Sequence, residues 1–489
     1  MSRSIKEVIL SFRKKGEKLM ETIVSINDAV NGFVWGWPAI ILIFGVGIYL
    51  TIRLKGIQFR NIGFQIHNTY VKTFKEAKKG SKDSGEGEIS SFQAAMASVS
   101  AVVGSGNIAG VATAIVAGGP GALFWMIVAA IIGMATKYGE IALGMKYREK
   151  ADDGTYVSGP MYYISKGLKA PWLGKIVAVL FIFFSIVISA VVDTNTMSQA
   201  LNETFGINPI VAGAIFAVLT GIVIFGGIKR IGEVCGLLSP FMAGAYLICG
   251  ILVIILHIGQ VPAAIGLIVR AAFNPTAALG GAAGFGIMTA IRYGMARGIF
   301  SNEAGIGSAS VTHASAKVNE PGEQAIWGPL EVFVDTCVVC LVTGLTIVLS
   351  GLWDSGAEGV GLTMAAFSKM LPGNWGQYVV LCASILFGFS CLITYYNYLE
   401  KGWLALFGKV MHAKVSKLIV RIVWLIFIMV GSYSTLGFVW DLADTCNGII
   451  IIPNLIALAV LAGQIVKIKE DYWKKYLPLY KEEKAAKKK

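Results

Sequence analysis

The chain has 489 residues, of which 55% are hydrophobic and only 15% charged, with a net charge of +13. Soluble domains carry about 25% charged residues, so a separate soluble module is excluded over most of this length. The positive excess does not mark a nucleic-acid binder either, because it gathers at 53–82, 229–230, 401–421 and 467–489, between apolar runs.

Residues 1–34 read as an amphipathic segment. Arg3, Lys6, Arg13, Lys14, Lys15 and Lys18 lie there, with Val8, Ile9, Phe12 and Leu19 on one helical face. No small-residue cleavage site follows a long apolar run, so a signal peptide is not expected. Trp35–Ile52 is the first run long enough to cross a bilayer, for which about 20 apolar residues suffice. Residues 35–53 are read as an accessory transmembrane helix and 54–90 as a charged cytoplasmic linker. From Ile89 to Thr136 there is then no charge at all. Gly118-Gly119-Pro120-Gly121 reads as a turn between two crossings, whereas Gly104-Ser105-Gly106-Asn107 falls inside one. Broken backbone at membrane depth is tolerated only where protein or a water-filled cavity receives it, and there transporters hold substrates and ions.

Charge-poor windows of crossing length follow at Ile176–Val192, Thr204–Ile228, Cys235–Ile255, Ala271–Ile291, Thr336–Trp353, Met370–Leu399, Ile422–Trp440 and Thr445–Val466. Together these predict an all-α polytopic membrane protein of eleven spans, with 467–489 a basic cytoplasmic tail. Basic loops face the cytoplasm, which puts the C-terminus inside and the N-terminus outside; the basic residues of 1–30 run against that count. Most cysteines lie inside spans, and Cys337-Val338-Val339-Cys340 reads as packing rather than as a redox pair.

Gly106–Ala114 (GNIAGVATA) matches Ser301–Ala309 (SNEAGIGSA), and a Pro-Gly follows each, at Pro120-Gly121 and Pro321-Gly322. Five crossings separate the two copies, so the second unit is inverted relative to the first. Residues 91–258 and 280–466 are read as two inverted five-helix repeats, each opening on a broken helix.

In the first break, Gly104 and Gly106 permit irregular backbone. The N–H groups opening the following half-helix suit a carboxylate, and the carbonyls from Ser100 to Val103 suit a hard cation such as Na⁺. In the second break, Phe300-Ser301-Asn302-Glu303 puts a carboxylate at the matching position, where backbone, Asn107 or Arg297 are its expected partners. Asp193 closes a charge-free run near the middle of a crossing. It is a candidate for a substrate ammonium, a cation or a coupling proton, the alternative being a salt bridge to Arg292 or Arg297. Asp335 and Glu140 stand closer to predicted loops and rank lower. Ser390 and Cys391 sit in a span predicted to face the first break, where Ser390 could complete a Na⁺ site. The four histidines form no metal-spaced pair and there is no Walker loop, so neither an enzyme nor an ATP-driven pump is expected.

Gly85–Ala94 (GEGEISSFQA), Gly104–Ala114 (GSGNIAGVATA), Gly118–Met126 (GGPGALFWM), Gly133–Tyr138 (GMATKY), Gly159–Tyr163 (GPMYY), Phe300–Ser308 (FSNEAGIGS) and Ala443–Gly448 (ADTCNG) resemble the alanine/glycine:cation symporter family, from about residue 30 to 466. The resemblance implies a leucine-transporter-type fold, with two inverted five-helix repeats and one accessory helix. It implies a monomeric, multi-pass transporter of the prokaryotic plasma membrane, importing a small neutral amino acid with Na⁺ or H⁺ and needing no other cofactor. Carried over residue by residue, the substrate site comprises Gly104, Ser105, Gly106, Asn107, Asp193, Phe300, Ser301, Asn302 and Tyr395. The Na⁺ site comprises Ser100, Val103, Phe387, Ser390 and Cys391. Relatives carry Gln where this chain has Asp193, Thr where it has Cys391 and often Trp where it has Tyr395. These departures leave open proton coupling or an altered substrate such as glutamine, serine or an amine-bearing molecule. A channel or an amino-acid sensor is a more distant alternative.

Overall fold

The computed structural model describes residues 21–73, 85–151, 154–274, 286–408 and 410–486. Of the amphipathic segment expected at residues 1–34, residues 1–20 lie outside them, and residues 21–34 are instead the first part of the first membrane helix. Helix α1 (Glu21–Arg53) runs through a turn at Trp35-Gly36 and packs on α4 and α12. The first broken helix comprises α2 (Ser91–Val102) and α3 (Gly106–Gly118), and is followed by α4 (Gly121–Tyr147), α5 (Pro171–Phe205), α6 (Pro209–Ile224) and α7 (Gly227–Leu256). The second unit opens with α8 (Ile287–Asn302) and a short continuation, Ala309–His313. It continues with α9 (Pro321–Ser350), α10 (Gly376–Phe407), α11 (Ala413–Tyr433) and α12 (Leu436–Val460). A final helix, α13 (Ala462–Ala486), carries the basic tail.

Eight of these helices are long and apolar enough to cross a membrane, and the bent pair α2–α3 makes a ninth span. With the shorter α6 and the broken helix that begins with α8, the described residues contain eleven spans in the 1 + 5 + 5 order. Ile215, Val218 and Ile222 on α6, with Leu237, Phe241 and Ile248 on α7, are exposed. Such an outward apolar surface is what a lipid-facing wall requires.

Local chemistry explains the joints. Ser90 caps α2 with a capping box: its Oγ accepts from the Gln93 N–H at 3.0 Å, and the Gln93 side chain accepts from the Ser90 N–H at 3.0 Å. Helix α2 ends where Val103 leaves helical geometry (φ −80°, ψ 87°), and the axis bends by 44°. Gly119 (φ +73°) turns the chain into α4. In the second break the backbone turns at Glu303 itself, which adopts φ +56°. A non-glycine residue in the left-handed region is strained, so surrounding contacts must hold it there.

Two expected span boundaries are corrected. The window Ala271–Ile291 does not mark one span: a helix ends within it at Phe273, α8 starts only at Ile287, and residues 275–285 lie outside the described set. The window from Thr336 began too late, because α9 starts at Pro321 and buries Glu331 and Asp335 within its length.

Candidate functional site

The two breaks meet in the middle of the bundle. Gly104, Ser105 and Gly106 of the first, Phe300 of α8, Asp193 of α5, and Cys391 and Tyr395 of α10 line one small cavity, together with Ile188. Its volume is about 10 Å³, about enough for one water molecule. The walls are therefore closed around it, and a larger occupant enters only when they move.

Asp193 is 3% exposed and its Oδ1 accepts from Ser105 Oγ at 2.6 Å and from the Ser105 N–H at 3.3 Å. The salt-bridge alternative is not formed: Arg292 donates to Asn31 Oδ1 at 2.7 Å, and Arg297 pairs with Asp444 at 2.5 Å. Asp193 thus presents a carboxylate to the cavity, held by a hydroxyl and an amide rather than by a cation. Tyr395 closes the opposite wall, its hydroxyl donating to Glu303.

Asn107, Ser301 and Asn302 stand behind this wall and tie the breaks together. Asn107 Oδ1 accepts from the Gly104 N–H at 2.8 Å, while its Nδ2 donates to Asp335 Oδ1 at 2.7 Å. Ser301 Oγ donates to Asp335 Oδ2 at 2.9 Å. Asn302 accepts from the Ala304 N–H at 2.9 Å and donates to Thr336 Oγ1 at 3.0 Å. Asp335 of α9, ranked low from sequence, is thus the point at which both breaks are anchored. The partners expected for Glu303 are corrected too. Arg297 and Asn107 are engaged elsewhere, and Glu303 accepts from Ser308 and Tyr395.

A second cluster lies beside the cavity. Ser390 Oγ is 3.1 Å from the Ser100 carbonyl and 2.8 Å from that of Phe387, and Cys391 Sγ is 3.3 Å from the carbonyls of Ser100 and Ala101. Four of the five residues expected at the Na⁺ site are therefore joined by direct contacts between α2 and α10. Val103, the fifth, is the residue at which α2 leaves the helix.

Sequence reading ranked Glu140 low and overlooked Lys137. Glu140, fully buried, accepts at Oε1 from the N–H groups of Gly305 at 2.7 Å and Gly307 at 3.0 Å, and from Asn454 Nδ2 at 3.0 Å. Lys137 Nζ donates to the Asn302 carbonyl at 2.9 Å. Their i, i+3 spacing puts both on one face of α4, a signal that was available just past the charge-free run. Asn107, Asp193 and Asp335 also lie in wide π-helical stretches, Gly106–Gly110, Ile186–Asp193 and Phe333–Cys340. Such bulges re-aim side chains and frequently mark functional sites.

Two inverted five-helix units that meet at a pair of broken helices define a secondary transporter of the leucine-transporter type. Solved structures share this fold. One titled MhsT in complex with L-phenylalanine is similar at a TM-score of 0.55 and 15% identity, over 78% of this chain and 98% of that one. A Na⁺-coupled sialic acid symporter is similar at 0.52 and 14%, over 89% of this chain and 86% of that one. The model of the sodium:alanine symporter family matches residues 20–487, and the chain belongs to that family. It is a membrane transporter, not an enzyme, that couples amino-acid movement to Na⁺. Relatives include the sodium/alanine symporter AgcS of Methanococcus maripaludis, 41% identical over 91% of this chain and 96% of that one. The probable sodium/glutamine symporter GlnT of Bacillus subtilis is 37% identical over 93% and 91%.

Proposed function

We propose that this protein imports alanine, glycine or a close relative together with Na⁺, by alternating access around the cavity between the two breaks. The observation that supports this reading most is the wall itself. Gly104 and Gly106 bring bare backbone to the site, and the bulky side chains of Ile188, Phe300 and Tyr395 surround it. The substrate carboxylate would meet the amides that open α3, and its ammonium would meet Asp193. Na⁺ would take the carbonyls of Ser100, Val103 and Phe387 with Ser390 Oγ, and Cys391 at its edge. Asn107, Ser301 and Asn302 would then orient the two breaks around the substrate. Competition against labelled alanine uptake tests the substrate: glycine and serine should compete, glutamine should not. Equal competition by glutamine would contradict the pocket.

The layers above and below the cavity supply its two closures. Arg297 lies 4.6 Å over the ring of Trp440, which packs 4.8 Å from Phe300, and its ion pair with Asp444 is buried. Removing one partner of such a pair costs about 3–5 kcal/mol because the other charge stays buried, so this closure separates only where water reaches both charges. Trp35 of α1 donates to the Asp444 carbonyl at 2.7 Å, tying the accessory helix to it. The opposite closure is Tyr395 with Glu303 and Ser308. Basic residues at the other end of α1 support an orientation with Arg297–Asp444 outside, the N-terminus outside and the C-terminus in the cytoplasm of a plasma membrane. The units 91–258 and 280–466 would rock against each other. Each chain holds a complete site, so a monomer suffices.

Cys391→Thr tests the ion assignment. A hydroxyl is a harder ligand than a thiol, so the Na⁺ concentration for half-maximal uptake should fall several-fold. An unaltered Na⁺ titration would mean that Cys391 only packs.

A further inference from the structure

At the end of α1 the chain turns at Lys55 (φ +56°), and α13 passes beneath that turn. Phe64 packs against Trp473 at 5.3 Å and Tyr480 at 5.7 Å between ring centroids, which fixes α13 against the turn. Between them lies a groove of about 650 Å³, lined by Lys55, Lys469, Lys474 and Lys481, with Glu470 as its carboxylate and Trp473 as its apolar floor. Lys55 stands 3.8 Å from Glu470, but both are more than half exposed, so that pair is worth little. Lys474 and Lys481 have no carboxylate within 4.0 Å among the described residues.

Lys469 differs from the rest. It is 8% exposed, its ammonium donates to the Leu54 carbonyl at 2.8 Å, and it sits 5.1 Å over the Trp473 ring. Burial and the charge of Lys55 hold that ammonium below the usual lysine range. Four lysines against one carboxylate around an apolar floor form a site that repels itself until an anion enters.

We propose that this groove binds the phosphate of an anionic phospholipid, held by Lys55, Lys474 and Lys481. The last residue of the membrane helix is Arg53, so the groove lies at headgroup depth, where lysine stems pack on apolar surface and their charges meet lipid phosphate. Free phosphate offers the same charge, but it would gain nothing from the Trp473 floor or from the bilayer edge.

The test uses the full-length protein in nanodiscs of phosphatidylcholine containing phosphatidylglycerol, with retained lipid counted by native mass spectrometry. Lys55→Gln/Lys474→Gln/Lys481→Gln leaves the Lys469–Leu54 bond intact and should weaken phosphatidylglycerol retention about a hundredfold, at roughly fivefold per surface lysine. A control, Lys229→Gln/Arg230→Gln/Lys414→Gln, should retain it as the parent does. Inorganic phosphate titrated into protein in pure phosphatidylcholine should show no saturable binding. Undiminished retention in the triple variant, or an equal loss in the control, would overturn the site. Lysine-dependent saturation by inorganic phosphate would overturn the lipid as its occupant.

Discussion

Gly104→Leu is expected to abolish substrate binding in a protein that still inserts and folds. A Cβ at residue 104 would lie 2.5 Å from Cys391 Sγ and 3.6 Å from Asp193 Oδ1. Sγ has nowhere cheap to go, because it is already packed against the carbonyls of Ser100 and Ala101. The added carbon therefore forces the first break away from α10, between the proposed ion and substrate sites. Gly104→Ala is the graded version. Overpacking of this kind costs about 1–3 kcal/mol, which, where the bound state bears it, is a loss of roughly fivefold to a hundredfold in affinity. Cys391→Ala in the same chain removes the clashing sulfur, so the double variant should recover substrate binding measured with labelled alanine. Unchanged affinity in a well-folded Gly104→Leu protein would remove the first break from the site.

The second large effect is expected at Asp193. Asn keeps an oxygen to accept from Ser105 but carries no charge, so Asp193→Asn reads the charge while leaving the pocket shape. If the carboxylate holds the substrate ammonium, affinity should fall by about 1–3 kcal/mol, the range for a buried charged group left without its partner. If it also carries a coupling proton, the pH profile of uptake should flatten in the same variant. With Arg292 and Arg297 committed to Asn31 and Asp444, no structural salt bridge at Asp193 is available to account for either change. A variant with unaltered affinity and an unaltered pH profile would take Asp193 out of transport.

Much of this was legible in the residues. Glycines inside a charge-free run betrayed the first break, because lipid tolerates freed backbone only at a site. The repeated Asn-x-Ala-Gly pattern located the second, and the odd number of spans between them gave the inversion. What escaped was whatever depends on partners distant in the chain. Asp335 looked like a loop residue because the charge rule shortened α9, yet Asn107 and Ser301 converge on it from the two breaks. Arg297 and Glu303 are three residues before and after Phe300, which suggested a pair. The left-handed turn at Glu303 instead sends its carboxylate to Ser308 and Tyr395, leaving Arg297 to Asp444. The reverse held at Ala271–Ile291, where lack of charge suggested a crossing although α8 begins only at Ile287.

The central claim, Na⁺-driven import at the paired breaks, is tested most directly in proteoliposomes loaded without substrate and given Na⁺ and pH gradients separately. Labelled alanine should accumulate above equilibrium when Na⁺ is higher outside at equal pH, and Gly104→Leu should abolish that accumulation. Accumulation driven by the pH gradient alone, with no response to Na⁺, would contradict the account.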